Sequence, residues 1–284
     1  MLAVPAIWGG TFIAGRLVAL ELPATVGAML RYVVACAALL VTVRLFEGRL
    51  PALDRRQVLA TLLLGITGIF AYNLFFLGAL SMLPASRTSL IIALNPIVTI
   101  AIDARLTPGE KLGARRWCGV LLALIGVWIV ISRGDLLATA GSPIGLGELL
   151  MFGGVCAWAA YTLIGRRVLA GLTPLAATTW ASLWGTILLV LASAPDWREV
   201  HLEDFTTPIV MSLFYLGVLG TAIAFVWYYR AVKVLGAART VIFNNLVPLF
   251  GATFGVLLLD EPLLPSLIIG GAIAIVGVMV VTRP

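Results

Sequence analysis

The stretch of sequence that decides the fold occurs twice. Residues 64–88 read LGITGIFAYNLFFLGALSMLPASRT, and residues 216–240 read LGVLGTAIAFVWYYRAVKVLGAART. The two segments align without gaps at an offset of about 152 residues, with about 8 identities in 25 positions. Apolar composition alone gives scattered matches, whereas collinear identities at glycine, arginine and threonine indicate an internal duplication.

The same repeat extends toward both ends of the chain. Pro96 and Pro248 keep the register, which then slips by one residue. The later pairs are Glu110 with Glu261, Leu112 with Leu263, Gly119 with Gly270 and Gly126 with Gly277. Near the start of each copy, Trp8, Gly15 and Arg16 match Trp158, Gly165 and Arg166. The sequence therefore predicts two copies of one unit, residues 1–132 and residues 145–284.

The composition places both copies in a lipid bilayer. Of the 284 residues, 61% are hydrophobic and 11% are charged, where soluble domains have about 25% charged residues. The mean hydropathy is +1.09. A spanning helix needs about 20 apolar residues, and apolar runs follow one another from Leu2 to Val281. We expect a single membrane domain over residues 1–284 with no appended soluble module.

The charges and cysteines exclude other classes of protein. The net charge of +6 comes from basic residues spread over short loops, so it does not predict nucleic-acid binding. The three cysteines fall in apolar segments without CxxC spacing, which argues against a disulfide framework and against a zinc site. The sequence contains neither HExxH nor GxSxG, and the single histidine, His201, lies in a polar loop, so we do not expect an enzyme.

Proline, glycine and charged residues divide the chain into about ten spans. They lie near residues 2–20, 24–45, 57–80, 84–103, 111–131, 147–169, 174–194, 208–232, 237–259 and 262–282. With a cytoplasmic N-terminus, about 14 basic residues fall on the cytoplasmic side and about 4 on the other. The positive-inside rule therefore places both termini in the cytoplasm.

An odd number of spans in each copy makes the two copies inverted. The second copy enters the membrane from the opposite side, and inverted repeats are typical of secondary transporters. The predicted fold class is an all-α polytopic membrane protein of ten transmembrane helices in two inverted five-helix repeats. The predicted mechanism is alternating access around a site near the midplane of the membrane.

Several short motifs appear in the same order in both copies. The first copy carries Trp8-Gly9-Gly10-Thr11-Phe12, Ala85-Ser86-Arg87-Thr88, Asn95-Pro96 and Gly109-Glu110-Lys111-Leu112. The second copy carries Tyr215-Leu216-Gly217-Val218-Leu219-Gly220-Thr221-Ala222, Val247-Pro248-Leu249-Phe250 and Leu258-Leu259-Asp260-Glu261-Pro262-Leu263. With this set the chain resembles the EamA family of the drug/metabolite transporter superfamily over its whole length. Its aromatic residues are similar to those of the branch that exports aromatic amino acids.

This resemblance implies a function. It implies a multi-pass exporter of amino acids, aromatic and other neutral ones, or of related small metabolites in the bacterial cell inner membrane. It implies a small-molecule substrate and a lipid bilayer as partners, no cofactor, no metal and no nucleic acid, and a monomer or weak homodimer. The alternatives are a multidrug or other metabolite exporter of the same superfamily and, less favoured, a channel.

Arg31 is the charge that lies clearly within a span. An intramembrane charge usually faces a pore or a partner, which makes Arg31 a candidate to bind a substrate carboxylate. Arg31 also lies about two turns from the outer end of its span, and snorkelling to the lipid headgroups is the alternative.

Aromatic and amide side chains complete the predicted site. Trp8 and Trp158 are repeat equivalents that we expect near the midplane, away from the interfacial belts where Trp gathers. The predicted substrate-binding residues are Trp8, Arg31, Tyr72, Asn73, Asn95, Trp158, Tyr161, Trp227 and Asn244. The alternative role for the asparagines is hydrogen bonding between helices.

Two pairs of residues recur at the same place in each repeat. Pro96 and Pro248 remove a backbone hydrogen bond inside a span, so they serve as hinge or cavity residues or as static kinks. Glu110 and Glu261 are expected to begin the fifth and tenth helices, where a carboxylate caps the freed amides. Because every Asp and Glu maps to a loop or a helix end, the sequence does not establish proton coupling.

Overall fold

The computed structural model describes residues 2–106, 113–133, 144–168, 171–228 and 246–282. Within these ranges the chain is helical and contains no β-strand. This architecture follows from the bilayer, where each backbone polar group needs a partner inside its own segment and a helix supplies it.

The helices of the first copy follow the predicted spans. They are α1 (Ala3–Glu21), α2 (Ala24–Phe46), α3 (Arg55–Met82), α4 and α5 (Ala114–Ile131). Helix α4 consists of Ala85–Ile91, a 3₁₀ turn at Ile92–Leu94 and Asn95–Leu106. Helix α3 begins with a capping box, in which Asp54 Oδ1 accepts from Gln57 N at 2.8 Å and Gln57 Oε1 accepts from Asp54 N at 3.0 Å.

The second copy repeats this order. Its helices are α6 (Leu146–Val168), α7 (Pro174–Ser193), α8 (Thr207–Tyr228), α9 (Val247–Leu258) and α10 (Pro265–Thr282). Among the described residues, six helices are long and apolar enough to cross a membrane, namely α1, α2, α3, α6, α7 and α8. The apolar stretches in α5, α9 and α10 are shorter. The chain is thus a polytopic all-helical membrane protein.

A π-helical segment interrupts the same helix of each copy. It covers Gly65–Ala71 in α3 and Tyr215–Ile223 in α8, and the repeat register superimposes Gly65 on Gly217. A Cβ atom on Gly65 would lie 3.0 Å from the backbone nitrogen of Gly185 in α7. A Cβ atom on Gly217 would lie 3.0 Å from the backbone nitrogen of Ala35 in α2. Each π segment therefore packs closely against a helix of the other copy.

Helices α5 and α10 pack through paired glycines. A Cβ atom on Gly119 would lie 2.8 Å from Gly277 O, and a Cβ atom on Gly277 would lie 2.7 Å from Gly119 O. Gly126 and Gly270 meet in the same way: a Cβ atom on Gly126 would lie 2.5 Å from Gly270 O, and a Cβ atom on Gly270 would lie 2.6 Å from Gly126 O. Since Gly119 matches Gly270 and Gly126 matches Gly277 in the repeat, the contact is antiparallel and self-complementary, like an interface about a two-fold axis.

The expected role of Glu261 at the start of α10 is wrong. Helix α10 begins at Pro265, and Glu261 lies in the loop that precedes it. Its Oε1 accepts from Ala85 N at 2.6 Å, and its Oε2 accepts from Ser86 N at 2.9 Å. The carboxylate therefore caps α4, a helix of the other copy, because the exposed amides of that helix end attract an anion. Glu110 lies outside the described residues.

We predict that Glu261→Gln lowers the free energy of unfolding by about 1 to 2 kcal/mol, because a hydrogen bond to a charged group contributes about 1.5–3 kcal/mol and an amide restores part of it. Chemical unfolding in detergent, followed by circular dichroism, measures the change. The control is Glu199→Gln, which alters an exposed carboxylate in a short 3₁₀ turn. Equal stability of the two variants would contradict the capping role.

Candidate functional site

A row of aromatic rings crosses the interior between α1, α3 and α6. The ring centroids of Phe12 and Phe76 are 5.3 Å apart, and those of Phe76 and Tyr72 are 5.7 Å apart. The row continues from Tyr72 to Trp158 at 5.0 Å and from Trp158 to Tyr161 at 5.2 Å. We call these five side chains the aromatic column. Phe12 and Phe76 are buried, and the other three are partly exposed.

Helical spacing and glycine position the column. Tyr72 and Phe76 are four residues apart on α3, and Trp158 and Tyr161 are three apart on α6, so each pair shares one helix face. Tyr72 directly follows the π-helical segment of α3. A Cβ atom on Gly68 in that segment would lie 2.2 Å from the ring of Tyr161, so the glycine leaves the space that this ring occupies.

Arg31 lies at the side of the column. Its side chain is 6% exposed, and its Nη1 donates to Asn73 Oδ1 at 2.9 Å. The guanidinium carbon is 5.8 Å from the centroid of Phe76 and 5.4 Å from that of Tyr32, within the range of a cation–π contact. The head group therefore lies among the helices of the bundle, and the geometry does not favour the snorkelling alternative.

Asn73 holds Arg31 in this position. Its Nδ2 donates to Ile69 O, in the π-helical segment, at 2.6 Å, which fixes the side-chain amide with its oxygen toward the guanidinium. No carboxylate of the described residues forms an ion pair with Arg31. The Nε atom of Arg31 is buried and has no hydrogen-bond partner. An unpaired buried donor on a cation is costly, and an anionic ligand would satisfy it.

Trp8 packs elsewhere, against α8. Its Nε1 donates to Gly220 O at 3.0 Å. Its ring centroid is 6.0 Å from that of Phe225 and 5.6 Å from that of Tyr228. Trp158 packs against α3 on Tyr72, whose repeat equivalent is Ala224, whereas the two partners of Trp8 match Asn73 and Phe76 in the alignment. The structure thus places the two predicted tryptophans in separate aromatic groups.

Asn95 and Pro96 lie where α4 changes its geometry. The 3₁₀ turn at Ile92–Leu94 directly precedes them, and the Oδ1 atom of Asn95 is buried without a hydrogen-bond partner. Pro248 lies in the first turn of α9, and its carbonyl oxygen accepts from Ser89 Oγ at 3.3 Å. Whether the two prolines act as hinges stays a prediction.

The remaining predicted residues do not join the column. Trp227 is 44% exposed on the surface of α8. Asn244 lies outside the described residues. Of the predicted set, the structure therefore brings together Arg31, Asn73, Tyr72, Trp158 and Tyr161.

Sequence reasoning missed several partners of these residues. Phe12, Phe76 and Tyr32 contact the predicted side chains, and the four-residue spacing from Tyr72 to Phe76 was an available signal. Glu148 was also missed: its Oε1 lies 2.7 Å from Arg87 Nη2, and both side chains are largely buried. No local pattern shows this ion pair, because it joins α4 of one copy to α6 of the other.

A groove of about 380 Å³ lies apart from the column, between α2 and α7. Apolar side chains line it, among them Val33, Leu183 and Ile187, and it shares no residue with the aromatic column. Val33 is 47% exposed and Ile187 is 51% exposed, so the groove opens on the outer surface of the bundle, where lipid lies. Its polar lining residues, Cys36 and Thr186, contact each other, with Sγ and Oγ1 3.2 Å apart, so the groove offers few polar groups to fix a small polar ligand.

Comparison with known proteins identifies relatives over the full chain. The profile of the EamA-like transporter family matches twice, at residues 1–132 and 145–283. An uncharacterised transporter of Archaeoglobus fulgidus is 29% identical over 276 residues, which cover 97% of this chain and 93% of the relative. The uncharacterised transporter YyaM of Bacillus subtilis is 28% identical over 249 residues, which cover 88% and 81%.

Two further matches concern substrate and fold. A probable terminal-alkyne amino-acid exporter of Streptantibioticus cattleyicolor is 28% identical over 256 residues, covering 89% of this chain and 82% of that protein. A protein of known crystal structure, 20% identical in sequence, superimposes with a TM-score of 0.66 over 98% of this chain and 94% of that chain. At this identity the superposition shows a shared fold.

Proposed function

Because the chain belongs to the EamA-like transporter family, we propose that it exports amino acids, aromatic and other neutral ones, or related small metabolites across the bacterial inner membrane. The observation that carries the proposal is the aromatic column with the buried Arg31 beside it, which forms no ion pair within the part of the chain that the structure describes. Aromatic faces beside a few fixed polar groups suit a small molecule with one planar or apolar side. The amino-acid exporter among the relatives supports the substrate class.

The residues take distinct roles in this proposal. Arg31 binds the carboxylate of the substrate, while Tyr72, Trp158 and Tyr161 contact its side chain. Asn73 and Asn95 supply amide groups, and Asn244 is proposed to do the same. Trp8 and Trp227 would contact substrate on the α8 side in another state of the cycle.

Alternating access would come from movement of the two copies against each other. The arrangement that supports it is the self-complementary glycine contact of α5 and α10, together with π segments that pack across the copies. We propose ten membrane helices in two inverted five-helix repeats with both termini in the cytoplasm, with Pro96 and Pro248 as hinges. Substrate at the column would then be reached from either side in turn.

The test is transport by the purified protein in proteoliposomes. Labelled tryptophan, phenylalanine and threonine are offered outside, with and without unlabelled substrate inside, and with and without a pH gradient. We expect saturable uptake that internal unlabelled substrate accelerates. A change of the uptake rate with the pH gradient would show that transport is coupled to protons. Protein-free liposomes are the control. Absence of flux of all three amino acids by folded protein would refute the amino-acid assignment.

The same assay separates the alternatives. A multidrug exporter would carry planar cations, which the positive charge of Arg31 beside the column disfavours. A channel would give flux without saturation and without acceleration by internal substrate. Transport of planar cations, or flux without saturation, would replace the proposal that the protein is an amino-acid carrier.

A further inference from the structure

We propose that the site selects aromatic monocarboxylates over zwitterions, because Arg31 binds the carboxylate through its Nε and Nη2 edge and no carboxylate of the described residues pairs with Arg31 or is placed beside it to neutralise an ammonium group. The inference rests on the proposed function and narrows the substrate class of the same site. The preferred ligand is a planar or apolar group joined to one carboxylate, and the α-ammonium group of an amino acid is dispensable.

The free edge of the guanidinium defines how a carboxylate binds. Nη1 is occupied by Asn73 Oδ1, whereas Nε is buried without a partner and no described residue accepts from Nη2. Nε and Nη2 point the same way and match the two oxygens of a carboxylate in a bidentate pair. The 6% exposure of Arg31 means that this pair forms away from bulk water.

Asn73 is a positioning residue in this arrangement. Its Nδ2 is held by Ile69 O at 2.6 Å, so its Oδ1 faces Nη1 of Arg31 and fixes the guanidinium plane. Ile69 belongs to the π-helical segment of α3, in which carbonyl groups are spaced differently from those of an α-helix. The local irregularity of α3 and the orientation of Arg31 are thus linked through one side chain.

The charges of the site decide between ligand classes. The buried carboxylate of Glu148 pairs with Arg87, and the carboxylate of Glu261 is bound by the amides at the start of α4. Neither therefore compensates Arg31. A bound monocarboxylate makes the site neutral, a zwitterion leaves one net positive charge, and an amine leaves two. An uncompensated charge in a low-dielectric interior is strongly unfavourable, so affinity should fall in that order.

The repeat shows that packing does not require this pair. Gly65 packs against the Cβ atom of Trp184, and its repeat equivalent Gly217 packs against the Cβ atom of Val34. This correspondence matches Arg31 with Ala181, while the gapless alignment matches Asn73 with Phe225. At the positions that correspond to Arg31 and Asn73, the second copy thus has two apolar residues. The polar pair in the first copy is an addition to the scaffold, as a ligand-binding function requires.

The test compares three probes that differ in one group: phenylalanine, 3-phenylpropionate and phenethylamine. Binding to the purified full chain is measured by tryptophan fluorescence, and transport by proteoliposome uptake. We expect 3-phenylpropionate to bind about tenfold more tightly than phenylalanine, and phenethylamine to show no saturable binding. Arg31→Gln should weaken carboxylate binding more than tenfold, and Arg31→Lys should weaken it less. Arg198→Gln, an exposed loop variant, is the matched control.

The variant Asn73→Asp tests the order of affinity for the probes, which would not change if Asn73 and Arg31 had a purely structural role. The aspartate would pair with Arg31 and cancel its charge, so the order of affinity should reverse in favour of phenylalanine. Thermal unfolding of each variant in detergent establishes that it is folded. If Arg31→Gln does not fold, Arg31→Lys and Asn73→Asp still test the proposal.

The outcomes separate this inference from the proposed function. Flux of 3-phenylpropionate that depends on Arg31, without flux of amino acids, would support the inference and refute amino-acid export. Tighter binding of phenylalanine than of 3-phenylpropionate would overturn the inference while leaving amino-acid export intact. Binding of phenethylamine as tight as that of 3-phenylpropionate, or an unaffected Arg31→Gln variant, would also overturn it.

Discussion

Replacing Gly126 with valine is expected to destabilise the folded chain strongly. A Cβ atom at this position would lie 2.3 Å from Ala274 N and 2.5 Å from Gly270 O, both backbone atoms of α10. Backbone cannot rotate away as a side chain can, so α5 and α10 must separate along their length. We expect a loss of about 3 kcal/mol or more, the upper end of the cost of overpacking. Thermal unfolding in detergent, followed by circular dichroism, measures it.

The control for this prediction is a helical glycine that has room. A Cβ atom on Gly165 in α6 would meet its nearest neighbour, a flexible Leu64 methyl group, at 3.8 Å. Gly165→Ala should therefore be neutral or slightly stabilising, because alanine has the higher helix propensity. The repeat adds a second comparison, since Gly277→Val should cost about as much as Gly126→Val. Wild-type stability of Gly126→Val would show that the close contact of α5 and α10 does not exist.

The helices themselves could be predicted from the sequence. Spans are set by runs of apolar residues and by the residues that stop them, both of which are local in the chain. The predicted span 24–45 agrees with α2 (Ala24–Phe46), and the span 174–194 agrees with α7 (Pro174–Ser193). Proline at the first position of α7, after the capping Thr173, is a strong local signal of a helix start.

The contacts between the two copies could not be predicted in the same way. Glu261 caps α4 rather than its own helix, and Arg87 pairs with Glu148 of the other copy. Both contacts join residues that are far apart in the chain, and the repeat alignment gives equivalences between copies rather than distances. From sequence alone, a carboxylate next to an expected helix start therefore predicts a cap on that helix, because the nearest free amides are the only ones that the sequence shows.

In the candidate site too, the sequence predicts the residues that take part but not the contacts between them. Residue type and depth in the membrane selected Arg31, Asn73 and the aromatic residues of the column. Trp8 and Trp158 are repeat equivalents and both belong to the predicted substrate-binding set, yet they pack against different helices, α8 and α3. Sequence periodicity also does not show where a helix adopts π geometry, and that geometry determines how Tyr72 and Asn73 face the interior.

The second large effect is expected at Trp158, where replacement by alanine should raise the KM for the transported aromatic substrate about tenfold or more. Trp158 lies between Tyr72 and Tyr161, so its loss removes the central ring of the column, against which the aromatic ring of the substrate would stack. An aromatic contact with the substrate contributes about 0.5–1.5 kcal/mol beyond area burial, and about 1.4 kcal/mol corresponds to a tenfold change in affinity. Proteoliposome uptake of labelled phenylalanine or 3-phenylpropionate measures the change.

The choice of controls makes this result specific to the column. Trp158→Phe keeps an aromatic face and should retain most of the uptake. Trp197→Ala removes a tryptophan that is 41% exposed in the loop after α7, and should leave KM unchanged. A higher KM in Trp158→Ala alone, in protein that still unfolds cooperatively on heating, means that the aromatic column binds substrate. An unchanged KM in Trp158→Ala would place the substrate elsewhere, since no ligand held between Tyr72 and Tyr161 can avoid the ring that lies against both.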